Sequence, residues 1–274
     1  MRNEDTIIHI QRTTLTNDTA LSLINGGMES LNVFLDNRPY FSAHGTSSQI
    51  RTSTPDIQLK IIWPATSTHI RKYSKQELKM VNETPEMYEK IVLPYIDSFP
   101  PERLEWVYNI LNGKKEAERI LYNDPDEENG FMILPDLKWD QTSMSALYLT
   151  VLVRTRKIKS LRDLTKSHLS LLRDIKLKTF ETVLKQFGVE GNKLRLFVHY
   201  QPSYYHFHVH VVHLHHETLG GMTVGQAHML DDLIALLEIS PDDSPSILAQ
   251  MTFTYALGVE HGLYAGFLAY ASTT

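Results

Sequence analysis

The chain has 274 residues, 42% of them hydrophobic, and a formal net charge of −5. This length suits one large domain or two modest ones with a packed core. The negative charge argues against a surface that tracks long nucleic acid. The sequence contains no cysteine, which excludes disulfides, thiolate catalysis and cysteine-based zinc sites.

Neither end of the chain has the pattern of a signal peptide or of a membrane span. The N-terminus lacks the apolar core of a signal peptide. The apolar run 262–271 is shorter than the roughly 20 residues of a membrane span. We therefore expect a soluble intracellular protein that contacts no membrane.

The front of the chain contains one clear strand pattern. Residues 56–63 alternate between apolar and polar positions, which predicts a strand with one buried face that ends at Pro64. Residues 69–81 carry lysines among apolar residues and predict an amphipathic helix. Because this stretch joins the strand to a continuous pattern behind it, we place a domain boundary between Trp63 and Thr84.

A longer series of elements follows. Thr84 and Pro85 form an N-cap and first helical position. The remaining predictions are helices over 101–112, 165–188 and 226–238, and strands over 118–122, 131–134, 146–153, 194–199, 206–214 and 251–257. This order predicts an α+β fold, in which an antiparallel sheet has helices on one side.

The strand over 206–214 carries the chemistry. Successive strand residues point to opposite faces, so His206, His208 and His210 share one face while Phe207 and Val209 share the other. Three aligned imidazoles have little value for packing. They suit the binding of an anion, a metal or a reacting phosphate.

Two interpretations of this row remain open on spacing alone. A central neutral imidazole could attack phosphorus while its neighbours bind the phosphate oxygens, and His199 on the adjoining strand could reach the same site. Alternating histidines can also bind zinc with a further ligand from elsewhere. We expect His213, His215 and His216 to lie in the following loop.

A family resemblance narrows this choice. The string His206-Phe-His-Val-His-Val-Val212 matches the histidine-triad (HIT) pattern, and the longer string 199–210 resembles the scavenger mRNA-decapping enzymes. Three further strings agree, namely Trp106-Val-Tyr-Asn-Ile-Leu111, Gly130-Phe-Met-Ile-Leu-Pro-Asp-Leu-Lys-Trp139 and Ser160-Leu-Arg-Asp-Leu-Thr165. Together they span roughly residues 69–257.

The resemblance implies a specific reaction. Enzymes of this family hydrolyse the residual 7-methylguanosine cap left by 3′-to-5′ mRNA decay, releasing 7-methylguanosine monophosphate and a nucleoside or oligonucleotide diphosphate. By position, His208 is the nucleophile and forms a phospho-histidine intermediate. His199, His206 and His210 bind and polarise the phosphates. Neither a metal nor a cofactor is expected.

The resemblance also implies a cap pocket. Trp106 stacks on the cationic 7-methylguanine, with Leu137 on the other face. Glu116 accepts hydrogen bonds from the base. The residues expected near the ribose and phosphates are Asp136, Lys138, Lys72, Ser203 and Tyr204. Without the resemblance, Trp106 would be assigned to the core and Glu116 to the solvated surface.

The remaining expectations concern organisation. The resemblance implies a HIT-like catalytic domain over 84–274, a hinge helix over 69–83 and a lid and dimerisation domain over 1–68. The lid includes Asn37 and Tyr40. It further implies a homodimer in the cytoplasm and nucleus that acts on capped dinucleotides or short capped RNA. Two alternatives are a dinucleoside polyphosphate hydrolase without a methyl requirement and a cap-binding protein without turnover.

Overall fold

The computed structural model describes residues 5, 7–12, 21, 23–37, 40–47, 57–65, 70, 74, 76–136, 138–139, 141–216, 220–242 and 245–272. The chain divides into two compact units, residues 1–75 and 76–274. Within the described part of the chain, no helix has the length and apolar character needed to cross a membrane.

Among its described residues, the first unit contains two antiparallel strand pairs. Its elements are β1 (Ile7–Arg12), a π-helical turn (Leu23–Gly27), β2 (Met28–Asn37), β3 (Tyr40–Ser47) and β4 (Ile57–Ile62). Strand β1 pairs with β4, and β2 pairs with β3. The strand predicted over 56–63 is therefore confirmed as β4.

The second unit contains eight strands among its described residues. They are β5 (Leu78–Glu83), β6 (Tyr122–Asn123), β7 (Phe131–Pro135), β8 (Tyr148–Val153), β9 (Leu194–His199), β10 (His208–His213), β11 (Ala227–Met229) and β12 (Phe253–Gly258). Six form an antiparallel sheet in the order β11-β9-β10-β8-β7-β6. The histidine strand β10 is therefore central, between β9 and β8.

The helices of this unit join or cover the strands. They are α1 (Pro85–Met87), a π-helical segment (Tyr88–Val92), α2 (Leu93–Asp97), α3 (Glu105–Leu111), α4 (Leu169–Phe187), α5 (Leu230–Glu238), α6 (Ile247–Gln250) and α7 (Tyr264–Ala271). The predicted cap is confirmed, because the Thr84 side chain accepts a hydrogen bond from the backbone N–H of Met87. Gly188 ends α4 in the left-handed conformation, as predicted.

The predicted α+β fold with an antiparallel sheet is confirmed. Helix α3 adds a feature to it. Its residues Val107 and Ile110 pack on Met132 and Leu152. Leu152 lies opposite His208 in the β8–β10 ladder, so α3 covers part of the sheet face that carries the histidines.

The helix predicted over 69–81, and extended to 83 as the hinge helix, is wrong from Leu78 onward, where the structure has β5. This strand pairs with β12 near the other end of the chain, Val81 opposite Tyr255. Val81 and Glu83 are buried, while Lys79 and Met80 are exposed. Near the end of β5, buried and exposed residues alternate with the strand period of two. The lysine spacing had indicated a helical period instead.

Three smaller predictions also need correction. The helix predicted from Gln226 begins only at Leu230, since 227–229 form edge strand β11. The first hairpin strand is reduced to β6, preceded by a 3₁₀ turn at 117–119. His213 is the last residue of β10 and is buried, not part of a loop.

Candidate active site

The alternating histidines lie on the central strand β10 or directly before it, and they are almost fully buried. The exposed fractions of His206, His208 and His210 are 2%, 3% and 5%. His208 and His210 lie in β10 itself, and His206 comes two residues before it. The row is therefore enclosed by protein, not displayed on an open sheet face.

The protonation of His208 follows from its contact with the backbone. Its Nδ1 lies 2.7 Å from the carbonyl oxygen of His206. A carbonyl only accepts, so Nδ1 must carry the proton and donate it. In the neutral ring the lone pair then lies on Nε2, which is buried and without a hydrogen-bond partner among the described residues.

Two neighbouring histidines resemble His208 in having a buried Nε2 atom that lacks a hydrogen-bond partner. In the described part of the chain, Nε2 of His199 and Nε2 of His210 are also buried without a partner. The ring centroids of His199 and His210 are 4.2 Å apart, and those of His208 and His210 are 4.9 Å apart. Buried polar atoms are usually satisfied, so three such nitrogens in one cluster indicate a place where a ligand completes the contacts.

Burial keeps these imidazoles neutral. It is the main cause that lowers the pKa of His208 to about 3 and that of His199 to about 4, and the nearby Lys138 ammonium makes a smaller contribution to both shifts. Burial also holds the pKa of His210 well below its ordinary value, with a further contribution from His208. At neutral pH each ring therefore has one N–H donor and one lone pair.

His206 is held differently from the other three. Its Nε2 lies 2.7 Å from the carbonyl oxygen of Val153 and donates to it. The ring meets Tyr108 of α3 edge to face, with centroids 5.7 Å apart. Because Nε2 is committed to the backbone, only Nδ1 of His206 is left for contact with a ligand.

Tyr204 connects the predicted stacking tryptophan to His208. The Tyr204 ring lies parallel to the His208 ring, with centroids 4.1 Å apart. Trp106 meets the same tyrosine edge to face at 4.9 Å and is 43% exposed. The ring of Tyr204 therefore lies between Trp106 and the histidine cluster of His199, His208 and His210. Ser203 lies beside Tyr204 and is exposed.

Glu116 is held by a residue that the sequence analysis missed. Its backbone is left-handed, with φ of 55°, and its carboxylate pairs with the guanidinium of Arg119. A second nitrogen of Arg119 donates to the carbonyl of Pro135 at 3.1 Å. Arg119 therefore joins Glu116 to the segment that contains Asp136.

Asp136 and Lys138 lie at the other side of the cluster. Thr150 donates to the Asp136 carboxylate at 3.1 Å, and the backbone N–H of Lys138 donates to the same carboxylate at 2.9 Å. The Lys138 ammonium lies 3.4 Å from the hydroxyl of Tyr148, which is 3.1 Å from Nδ1 of His210. Tyr148 was not predicted, since it lies inside an apolar run.

Two predicted site residues, Leu137 and Lys72, lie outside the described residues. Within the described part of the chain, no group of three or more His, Asp or Glu side chains is arranged to hold a metal ion. What the cluster offers chemically is one imidazole lone pair on His208, further imidazole nitrogens around it, and the fixed positive charge of Lys138.

Comparison with known proteins gives two family matches. Residues 105–225 match the family described as scavenger mRNA decapping enzyme C-term binding, and residues 1–76 match the N-terminal part of the same enzymes. Among curated relatives, the m7GpppX diphosphatase of Schizosaccharomyces pombe is 42% identical over 96% of this chain and 86% of its own length. Those of Mus musculus and Homo sapiens are 39% and 37% identical over 95% of this chain and 74% of their own lengths.

Proposed function

Because this chain belongs to the scavenger mRNA decapping enzyme family, we propose that it is an m7GpppX diphosphatase. It would cleave the residual cap, as a dinucleotide or short capped RNA, to 7-methylguanosine monophosphate and a nucleoside or oligonucleotide diphosphate. The single observation that carries the proposal is the cluster of buried, unpartnered Nε2 atoms of His199, His208 and His210.

His208 is the proposed nucleophile. Its Nε2 lone pair attacks the phosphorus next to the 7-methylguanosine ribose, and a P–N bond forms. The bond from that phosphorus to the bridging oxygen breaks, and the diphosphate leaves with the electron pair. Water then attacks the same phosphorus and loses a proton to the solvent, the P–N bond breaks with its electron pair returning to Nε2, and 7-methylguanosine monophosphate and the neutral imidazole are released. The low pKa of His208 supports this role, because the lone pair is available throughout the neutral range.

The neighbouring groups would stabilise the charge on the phosphates. Lys138 provides a fixed positive charge close to His199 and His210, and the two imidazoles contribute polar ring atoms in a water-poor site. Ser203 and Tyr204 are proposed to contact phosphate oxygens. Since the Tyr204 ring lies on the His208 ring, we expect it to shift when the substrate reaches Nε2.

The proposed base pocket lies next to this centre. A 7-methylguanine ring on the exposed Trp106 gains both contact area and cation–π attraction. Glu116 would accept the N1–H and 2-amino donors of the base, and its pairing with Arg119 holds the carboxylate in place. Asp136 is proposed to face the ribose. Leu137 and Lys72 keep the roles that the resemblance implies.

We also propose the organisation found by resemblance, with residues 1–68 as a lid and dimerisation domain of a homodimer and 84–274 as the catalytic domain. The match of residues 1–76 to the N-terminal family model supports a shared N-terminal part. The cytoplasm and nucleus are the proposed compartments.

The test is hydrolysis of the 7-methylguanosine cap dinucleotide beside its unmethylated twin, with EDTA present and products separated. We expect methyl-dependent release of 7-methylguanosine monophosphate. Equal rates on both substrates would instead establish a general dinucleotide hydrolase. Binding without turnover would contradict the proposal, and loss of activity with EDTA would revive the metal interpretation.

A further inference from the structure

The hydroxyl of Tyr148 lies between Lys138 and His210. It is 3.4 Å from the Lys138 ammonium and 3.1 Å from Nδ1 of His210. Tyr148 is completely buried on β8, and it pairs with Val212, two residues along β10 from His210. Residues two apart on a strand share a face, so the tyrosine is the diagonal neighbour of this imidazole. Neither the sequence analysis nor the family resemblance gave Tyr148 a role.

The direction of these hydrogen bonds follows from what each group can donate. An ammonium has only donors, so the Tyr148 oxygen accepts from Lys138. The hydroxyl proton of this buried tyrosine then has no acceptor within reach among the described residues except Nδ1 of His210, and we take Nδ1 to accept it. A neutral imidazole that accepts at Nδ1 carries its proton on Nε2.

We propose that Tyr148 is a positioning residue that fixes His210 in the Nε2–H tautomer. The neighbouring His208 is held in the opposite tautomer, because the carbonyl of His206 can only accept from its Nδ1. Two adjacent rings of one strand therefore direct different atoms into the cluster. His208 directs a lone pair, and His210 directs an N–H.

This difference assigns the two rings different tasks in the proposed reaction, and to that extent the inference rests on the proposed function. An N–H at Nε2 of His210 donates to a non-bridging phosphate oxygen, whereas a lone pair there would repel it. A protonated Nε2 also cannot attack phosphorus. Tyr148 thereby leaves His208 as the nucleophile and makes His210 a donor that needs no rearrangement during the reaction.

The first readout is the tautomeric state in the ligand-free full chain, measured by long-range ¹H–¹⁵N correlation on ¹⁵N-histidine protein at neutral pH. We expect His208 to be protonated at Nδ1 and His210 at Nε2. In Tyr148→Phe, the Nδ1 resonance of His210 should shift to that of a nitrogen without a hydrogen bond.

The second readout is the kinetics of cap hydrolysis. Loss of one preorganised donor typically lowers kcat by about 10²- to 10³-fold. Because Tyr148 acts through His210, we expect a smaller loss in Tyr148→Phe, about 10- to 100-fold in kcat, with KM changed less than about threefold. The control is Tyr122→Phe on β6 of the same sheet, a hydroxyl with no hydrogen bond among the described residues. It should change neither the His210 resonances nor kcat.

Two results would overturn the inference. One is a wild-type His210 that is protonated at Nδ1. The other is a folded Tyr148→Phe variant whose His210 resonances and kcat equal those of the wild type. Because the tautomers are read without substrate, failure of cap hydrolysis would count against the proposed function and leave the tautomer result to be judged separately.

Discussion

Two buried polar clusters of the second unit differ in how completely their atoms are paired. The carboxylate network is Glu83, Arg162, Tyr200, Gln201 and Tyr255. Its Glu83 carboxylate accepts hydrogen bonds from all four other members. Arg162 also donates to three backbone carbonyls around α6. The histidine cluster of His199, His208 and His210 instead has an unpartnered Nε2 on every ring, among the described residues.

The difference in pairing indicates different roles: the carboxylate network stabilises the fold, and the histidine cluster is available for chemistry. A fully paired network in a low-dielectric interior holds its elements in one arrangement, here β5, β12, the segment directly after β9 and the 3₁₀ turn Leu161–Asp163. Unpaired buried nitrogens cost free energy, and a ligand that pairs with them recovers it. The two clusters are adjacent in sequence, because Tyr200 and Gln201 directly follow His199. The carboxylate network therefore also anchors the loop that leads to the histidine strand.

The variant expected to have the largest effect on one cluster alone is His208→Asn. It removes the proposed nucleophile from the histidine cluster while the carboxylate network stays intact. We expect turnover to fall by a factor on the order of 10⁴ or more, with cap affinity changed less than about threefold. Single-turnover hydrolysis and equilibrium binding of the cap dinucleotide measure both quantities. A variant that keeps a tenth of the wild-type rate would show that His208 is not the nucleophile.

The second variant, Glu83→Gln, changes the carboxylate network and leaves the buried Arg162 cation without its carboxylate. Removing one partner of a buried ion pair typically costs about 3–5 kcal/mol, and we expect that loss in the free energy of unfolding. Urea denaturation measures it.

The matched control for Glu83→Gln is Glu128→Gln at the surface. Glu128 pairs with Lys157, and the two side chains are 72% and 79% exposed. We expect a loss of less than about 1 kcal/mol, because solvent already screens this pair. Equal losses in the two variants would show that the carboxylate network does not stabilise the fold.

The histidine cluster should also make stability depend on pH. In the unfolded chain a histidine titrates near pH 6.5, whereas in the native protein the pKa is about 3 for His208 and about 4 for His199. Between these values the unfolded state binds more protons. The free energy of unfolding therefore falls with falling pH, by up to about 1.4 kcal/mol per pH unit for each ring.

The measurement is urea denaturation between pH 7 and pH 4.5. The His208→Asn variant lacks one of the titrating rings, so its stability should fall less steeply than that of the wild type. Parallel pH dependences would mean that His208 is not held neutral by burial.

The smallest expected effect is that of Trp106→Ala, at the rim of the histidine cluster. Loss of stacking and of a cation–π contact worth about 2 kcal/mol should raise KM for methylated cap by about 30-fold. KM for the unmethylated twin should rise less, because that base is not cationic. A KM that rises equally for both substrates would remove the cation–π contribution.

The sequence predicted those structural features that are determined by residues close together in the chain. The Thr84 cap, the end of α4 at Gly188 and the alternation around His208 are all encoded within a few positions. Strand β5 was missed, because its partner β12 lies far along the chain and only the lysine spacing over residues 69–81 was visible. No sequence pattern indicates that Glu83 forms a buried ion pair with Arg162.

The site shows the same limit. The histidine row followed from a strand period of two, and Trp106 followed from the family resemblance. The tautomers of His208 and His210 depend on the His206 carbonyl and on Tyr148, which only the folded chain places beside them. In the sequence, Tyr148 is one member of an apolar run, and its hydroxyl carries no local signal.

The most direct test of the account is to identify the covalent intermediate. The full chain is mixed with cap dinucleotide, quenched in alkali within one turnover, digested and mapped by mass spectrometry. The account predicts 7-methylguanosine monophosphate joined through phosphorus to Nε2 of His208, and no adduct in His208→Asn. An adduct on His199 or His210, or rapid turnover with no adduct on any histidine, would contradict it.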